Sequence, residues 1–197
     1  MNFAALTKSL PIIAIATLVW YGWQSKTHSD ALLPNSATVD LADMKFQTED
    51  GAKGLPEFDV VPNSVHDGDT IRVRSESGQI LKIRFACIDA PELKQPLGIE
   101  SRNYLRSLLN QGGNKVKLRI VDTDRYGRTV AEVWNSHGLV QSQEAIAGMA
   151  YAYDQYAKNC PNFAAVKSSE KTAINEKIGV WKNPNLERPW EYRKRNR

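Results

Sequence analysis

Residues 67–92 read DGDTIRVRSESGQILKIRFACIDAPE, and this stretch decides the fold. Ile71 and Val73 alternate with Arg72 and Arg74, Glu76-Ser77-Gly78 supplies turn residues, and Ile80, Leu81, Ile83 and Phe85 follow. Two short period-two runs about a turn predict a β-hairpin. Antiparallel pairing brings the far ends of the two strands together, so Asp69 is expected beside residues 87–89. Asp67, Asp69, Asp89, Glu92 and Arg84 then share one hairpin and its flanks. Carboxylates gathered in this way repel unless a cation lies among them, and hard oxygen donors suit Ca²⁺ or Mg²⁺ better than zinc. The same residues also read as a solvated Asp67-Gly68 turn and a strand exit at Asp89-Ala90-Pro91. Spacing alone leaves both readings open.

Around the hairpin, residues 58–65 read as a first strand that reaches it through His66. Residues 99–110 carry Tyr104, Leu105, Leu108 and Leu109 at three-and-four spacing, an amphipathic helix stopped by Gly112-Gly113. Residues 114–121 alternate Val116, Leu118 and Ile120 with Lys115, Lys117 and Arg119. The turn 124–128 leads into a partner strand at 129–134. Helices are expected at 139–147 and 162–177, the latter with Pro161 in its first turn and Gly179 closing it. Five strands with a helix after the third and two helices after the fifth give an α+β fold. The order suits a five-stranded Greek-key β-barrel of the oligonucleotide-binding (OB) type with three helices. A flat antiparallel sheet with helices would read similarly.

The 197 residues suit one domain of ordinary size plus an extra segment. The formal net charge of +4 is uneven: 4 Lys and Arg against 6 Asp and Glu precede Asp59, and 22 stand against 16 from there on. A basic domain is consistent with a polyanionic partner such as nucleic acid, although solubility alone would account for a charge this modest. Residues 10–23, LPIIAIATLVWYGW, are uncharged and end in Trp20, Tyr21 and Trp23. They are expected to form an N-terminal hydrophobic helix within a signal peptide or signal anchor over 1–24. With no clear cleavage site after them, the uncleaved anchor is the preferred form. That places the folded part outside the cytoplasm, secreted or membrane-anchored. Residues 25–57 are polar, punctuated by proline and glycine, and read as a flexible tether. In the tail, 182–197, six basic residues face two acidic ones, with Trp190 and Tyr192 interleaved. Such a tail either grips a phosphate backbone or is frayed and solvated.

Cys87 and Cys160 are compatible with one disulfide or with two buried thiols, and with too few partners for a zinc site. His28, His66 and His137 are scattered, which disfavours histidine-based nuclease chemistry.

The ordered set DGDT (67–70), IRFACIDAPE (83–92), DRYGR (124–128) and KIGVW (177–181) resembles the staphylococcal nuclease, or thermonuclease, family over about residues 58–181. The resemblance implies a five-stranded OB-type barrel with three helices and a Ca²⁺-dependent phosphodiesterase acting on DNA and RNA. It assigns Asp69 and Asp89 as calcium carboxylates and Ala90 as a main-chain carbonyl ligand, where the family's best-known members have threonine. It assigns Arg84 and Arg128 to phosphate and Glu92 as general base, with Asp67 and Tyr126 at supporting or substrate-side positions. Tyr151, Tyr153 and Tyr156 lie where the family places nucleotide-contacting aromatics. The chemistry is consistent with these roles: guanidiniums fork onto phosphate oxygens, and a carboxylate can take the proton of an attacking water. A monomer is expected. A catalytically weak nucleic-acid-binding module on the same barrel is the alternative, which the filled family positions disfavour.

Overall fold

The structure is a computed structural model that describes residues 49–196. The expected N-terminal hydrophobic helix, and the tether as far as residue 48, lie outside them. In chain order come β1 (Glu57–Val60), β2 (Thr70–Arg74), β3 (Ile80–Phe85) and the short β4 (Ile88–Asp89), then α1 (Gly98–Gln111). They are followed by β5 (Lys115–Thr123), β6 (Thr129–Asn135), the short β7 (Gly138–Leu139), α2 (Val140–Ile146) and the short β8 (Tyr151–Ala152). The chain ends with α3 (Phe163–Glu176) and α4 (Pro189–Arg195).

Residues Thr70 to Phe85 form the expected hairpin, with Thr70 opposite Arg84 and Val73 opposite Leu81. Ile71 and Val73 are buried while Arg72 and Arg74 are exposed, so the alternation in the sequence is the alternation of faces. Gly78 closes the turn at φ 84°, its N–H donating to the Ser75 carbonyl. The strands run in the order β3-β2-β1-β5-β6, and β3 pairs with β6 in parallel, Ile83 opposite Thr129 and Phe85 opposite Ala131. That pairing closes the sheet into the five-stranded barrel, in place of the flat sheet that the sequence left open. Leu105, Leu108 and Leu109 of α1 pack onto the core with Ile71, Ile83 and Phe85. Each such side chain contributes about 1.5–3 kcal/mol by burial.

Several boundaries differ from the sequence reading. The first strand stops at Val60, because Pro62 has no N–H to donate and Asn63 takes φ 57°; Val65 still tucks into the core from the turn. Between β5 and β6 the register shifts at Ile120/Asp122, a bulge that lengthens β5 beyond the expected strand. Pro161 precedes α3 by two residues, since Cys160 and Asn162 are held against β6 before the helix begins. The end of the expected tether is packed onto the barrel: Ala52 is buried, and the Gly51 carbonyl accepts from Arg119. The tail is not frayed but carries the fourth helix, α4. Among the described residues no helix is long and apolar enough to cross a membrane.

Cys87 and Cys160 are joined in a disulfide with a Cα separation of 5.5 Å, closing a loop 73 residues long in sequence. Constraint of the unfolded chain by a loop of this size is worth roughly 4 kcal/mol. Thermal melts of the full chain are therefore expected to fall by roughly 10 °C on reduction. An unchanged melt, with reduction confirmed by mass, would contradict this.

Candidate active site

The site lies where the start of β2, the end of β3 and the β4 loop meet. Asp67 begins it as a turn residue, its Oδ1 accepting the Asp69 N–H at 3.1 Å. Gly68 is required by close approach: a Cβ there would lie 1.8 Å from Ser101 Oγ on α1 and 2.8 Å from the Ala90 Cβ. The loop thus lies flat between helix and strand exit. Asp69 is buried, and its carbonyl accepts from the Phe85 N–H. Its Oδ2 accepts the Ala90 N–H at 2.8 Å and its Oδ1 the Thr70 hydroxyl at 3.2 Å. Asp89 sits on β4, opposite Tyr151 of β8, and is wholly buried.

Arg84 projects from β3 between these two acids. Its NH2 lies 2.7 Å from Asp89 Oδ1 and 3.1 Å from Asp69 Oδ2, while its NH1 donates to the Phe85 carbonyl at 2.7 Å. Burial works against the Arg84 charge, but Asp69, Asp89 and Asp67 outweigh it and raise its pKa. Burial also pushes the Asp67 carboxyl up to about 7, with the Asp69 charge adding to it. Asp89 is raised by burial, and Arg84 and Arg193 pull it back without cancelling the effect.

Glu92 stands on the loop after β4. Its N–H donates to Gln95 Oε1 at 2.9 Å, and its carbonyl accepts the Gln95 N–H at 2.8 Å. The first residue of α1 presses on the same backbone, since a Cβ on Gly98 would lie 2.0 Å from the Glu92 carbonyl oxygen. The backbone is fixed while the side chain stays about a third exposed, at 32%.

A residue that the sequence reading missed completes the cluster. Arg193 of α4 donates from NH2 to Asp89 Oδ2 at 2.7 Å, and from NH1 to Asp89 Oδ1 at 3.0 Å and Glu92 Oε1 at 2.8 Å. Its pKa is raised: burial opposes the charge, but the bonds to Asp89 and Glu92 prevail. The sole signal in the sequence was the pattern Arg188-Pro189 opening a short helix, and nothing in it specified where that helix docks. Glu144 of α2 was also missed. It is buried, neither carboxyl oxygen is hydrogen-bonded among the described residues, and burial, with Asp69 adding, pushes its pKa well above the usual range.

Of the remaining expected residues, Arg128 and Tyr126 belong to the turn between β5 and β6, whereas Tyr151 pairs with Asp89 across β8 and β4 and the Tyr153 N–H donates to the Cys87 carbonyl. Arg128 is bound by Asp124 of its own turn, Nε to Oδ2 at 2.6 Å, and among the described residues forms no other ion pair. Tyr126 is 69% exposed, with Arg125 donating to its hydroxyl. Tyr151 is buried, while Tyr153 stacks on Trp190 of α4 at 5.1 Å and 11°. Tyr156 packs edge-on against Tyr153.

The residues at the acid cluster fit a hard divalent cation. Asp69 and Asp89 are oxygen donors, and each carboxylate has about four lone-pair positions. Among the described residues Asp69 Oδ1 is engaged only by Thr70 and Asp89 Oδ2 only by Arg193, so each retains capacity for a cation. Asp69, Asp89 and Glu92 outnumber Arg84 and Arg193, which leaves negative charge for a divalent ion to offset, and Asp67 adds to it when ionised. A second group, Cys87, Glu132 and Cys160, has ligand atoms within 4.8 Å of one another. Its sulfurs are spent in the disulfide, and Asn162 satisfies Glu132 through two hydrogen bonds of 2.7 Å, so it does not have the character of a metal site.

Comparison with known proteins identifies the family. The family model described as "Staphylococcal nuclease homologue" matches residues 82–183. A probable staphylococcal-like nuclease of Oryza sativa subsp. japonica is 39% identical over 116 residues, 59% of this chain and 29% of that protein. A micrococcal nuclease of Shigella flexneri is 34% identical over 137 residues, covering 65% of this chain and 76% of its own length. An uncharacterized endonuclease of Escherichia coli is 36% identical over 132 residues, 66% of this chain and 82% of that protein. The chain spans about three tenths of the length of the two rice relatives. On the family match over residues 82–183 and the coverage of its bacterial relatives, the chain belongs to the staphylococcal nuclease family.

Proposed function

We propose that the chain is a Ca²⁺-dependent endonuclease that hydrolyses phosphodiester bonds of DNA and RNA outside the cytoplasm. The observation that carries this reading is the single guanidinium of Arg84 spanning two buried carboxylates, with Glu92 on the adjoining loop. Asp69, Asp89 and the Ala90 carbonyl would hold the ion, which when bound supplies positive charge against the phosphate. Arg84 is aimed by the Phe85 carbonyl and by Asp89, and presents N–H donors to equatorial phosphate oxygens as charge builds there. Arg128 supplies a second guanidinium from the β5–β6 turn once it exchanges Asp124 for phosphate. Glu92 accepts the proton of the attacking water, a step worth about 10²- to 10⁴-fold. The disulfide and the apolar stretch at residues 10–23 support a place outside the cytoplasm.

The test uses the full chain on end-labelled single-stranded DNA, RNA and duplex DNA, with Ca²⁺ or with EDTA at mildly alkaline pH. Chelator-sensitive cleavage is expected, faster on single strands. Binding without hydrolysis under every condition would favour the non-catalytic OB-type module instead.

A further inference from the structure

We propose that Arg193 is a positioning residue of this site, fixing the Glu92 and Asp89 carboxylates relative to one another from the C-terminal helix. The inference rests on the nuclease reading above and adds to it a residue that lies beyond the stretch matched by the family.

The segment that delivers Arg193 is docked at several points. The Glu187 carbonyl accepts from Gln95 Nε2 at 3.0 Å, so the side chain that receives the Glu92 N–H also holds the C-terminal segment. The Arg188 guanidinium lies 4.3 Å from the Tyr151 ring and 4.5 Å from the Trp181 ring. Trp190 covers Tyr153, and Pro189 is buried in the first turn of α4. These contacts aim the third arginine of the site without help from any ligand.

The guanidinium then uses a planar fork. Two parallel bonds hold Asp89, and NH1 is shared with Glu92 Oε1. A planar fork sets orientation as well as distance, which a lysine ammonium does not. The arrangement holds the acids while leaving them usable. On Glu92 the bond falls on Oε1, and among the described residues Oε2 accepts no hydrogen bond, so one oxygen is anchored and the other remains available to a water. Without Arg193, the partly exposed Glu92 side chain would be free to rotate, and its share of time in the reactive geometry would fall.

The full chain and its Arg193→Ala, Arg193→Lys and Arg195→Ala variants are compared on a single-stranded DNA oligonucleotide with saturating Ca²⁺. Arg195 serves as the control because it lies on the same helix and pairs with Glu187 at the surface. Arg193→Ala is expected to lose about 10²-fold in kcat, the scale of a misplaced catalytic group, with KM changed little. Arg193→Lys is expected to fall between it and the unaltered chain, and Arg195→Ala to match the unaltered chain. Millimolar guanidinium should restore part of the kcat of Arg193→Ala while leaving the unaltered chain unaffected. Melting temperatures report whether each variant folds. An unchanged kcat for a folded Arg193→Ala, or a loss confined to KM with no rescue, would overturn the inference alone. A faster variant would also overturn it, by making α4 a brake. An unaltered chain without chelator-sensitive hydrolysis would remove the nuclease reading and the inference with it.

Discussion

Arg84→Ala is expected to lower the rate of phosphodiester hydrolysis by about 10³-fold or more, within the range for arginines that meet phosphoryl charge in the transition state. The side chain is only 13% exposed. It serves Asp69, Asp89 and the Phe85 carbonyl at once. Its removal therefore has a second effect, on stability. Breaking a buried ion pair by deleting one partner costs about 3–5 kcal/mol, because the remaining charge is left uncompensated. Here Asp69 loses its guanidinium partner, while Asp89 keeps Arg193. Ca²⁺ is therefore expected to raise the melting temperature of Arg84→Ala by more than that of the unaltered chain. Single-turnover rates, with melts in Ca²⁺ and in EDTA, separate the two effects. Arg84→Lys should recover much of the stability and little of the rate, since an ammonium keeps the charge and loses the fork. Normal hydrolysis by a folded Arg84→Ala would remove this side chain from the reaction.

Glu92→Gln is expected to give the contrasting result: a rate lower by about 10²- to 10⁴-fold with the fold intact. The glutamine amide keeps an oxygen for Arg193 NH1, and the backbone anchors at Gln95 and Gly98 do not involve the side chain. What is lost is the carboxylate that takes the proton from water. Oligonucleotide affinity should stay near that of the unaltered chain while the chemical step slows. A matching rate in the two proteins would end the assignment of Glu92 as base.

The hairpin was legible because its information is local. Alternation from Ile71 to Phe85 and turn residues about Gly78 fix a register that sets Asp69 against Phe85, and the turn at Cys87, φ 72°, then carries the Ala90 N–H to Asp69. The same register sets Arg84 beside Asp69, while Asp89 is delivered by β4 and its pairing with β8. Barrel closure was legible only as a topology consistent with element order, since the parallel contact of β3 with β6 is a backbone pairing between strands distant in sequence. Residues 58–65 were read too long because Val61 and Val65 look like strand residues, whereas Pro62 and Asn63 turn the chain. The cysteines left a choice that the spatial approach of residues 87 and 160 resolves. The tail was the largest miss. A run of basic residues carries no periodic apolar face, and what docks it is a set of single contacts from Arg188, Trp190 and Arg193 to widely separated elements.

Arg193 is joined to Asp89 across 104 residues and to Glu92 across 101. A chain made from its N-terminus has every strand of the barrel in hand by Asn135, and the disulfide partners by Cys160. The arginine that meets those two acids is made only after all of these, on α4. The acid cluster therefore assembles in two stages, the first encoded in a compact hairpin and the second deferred until the segment that follows α3 has been made.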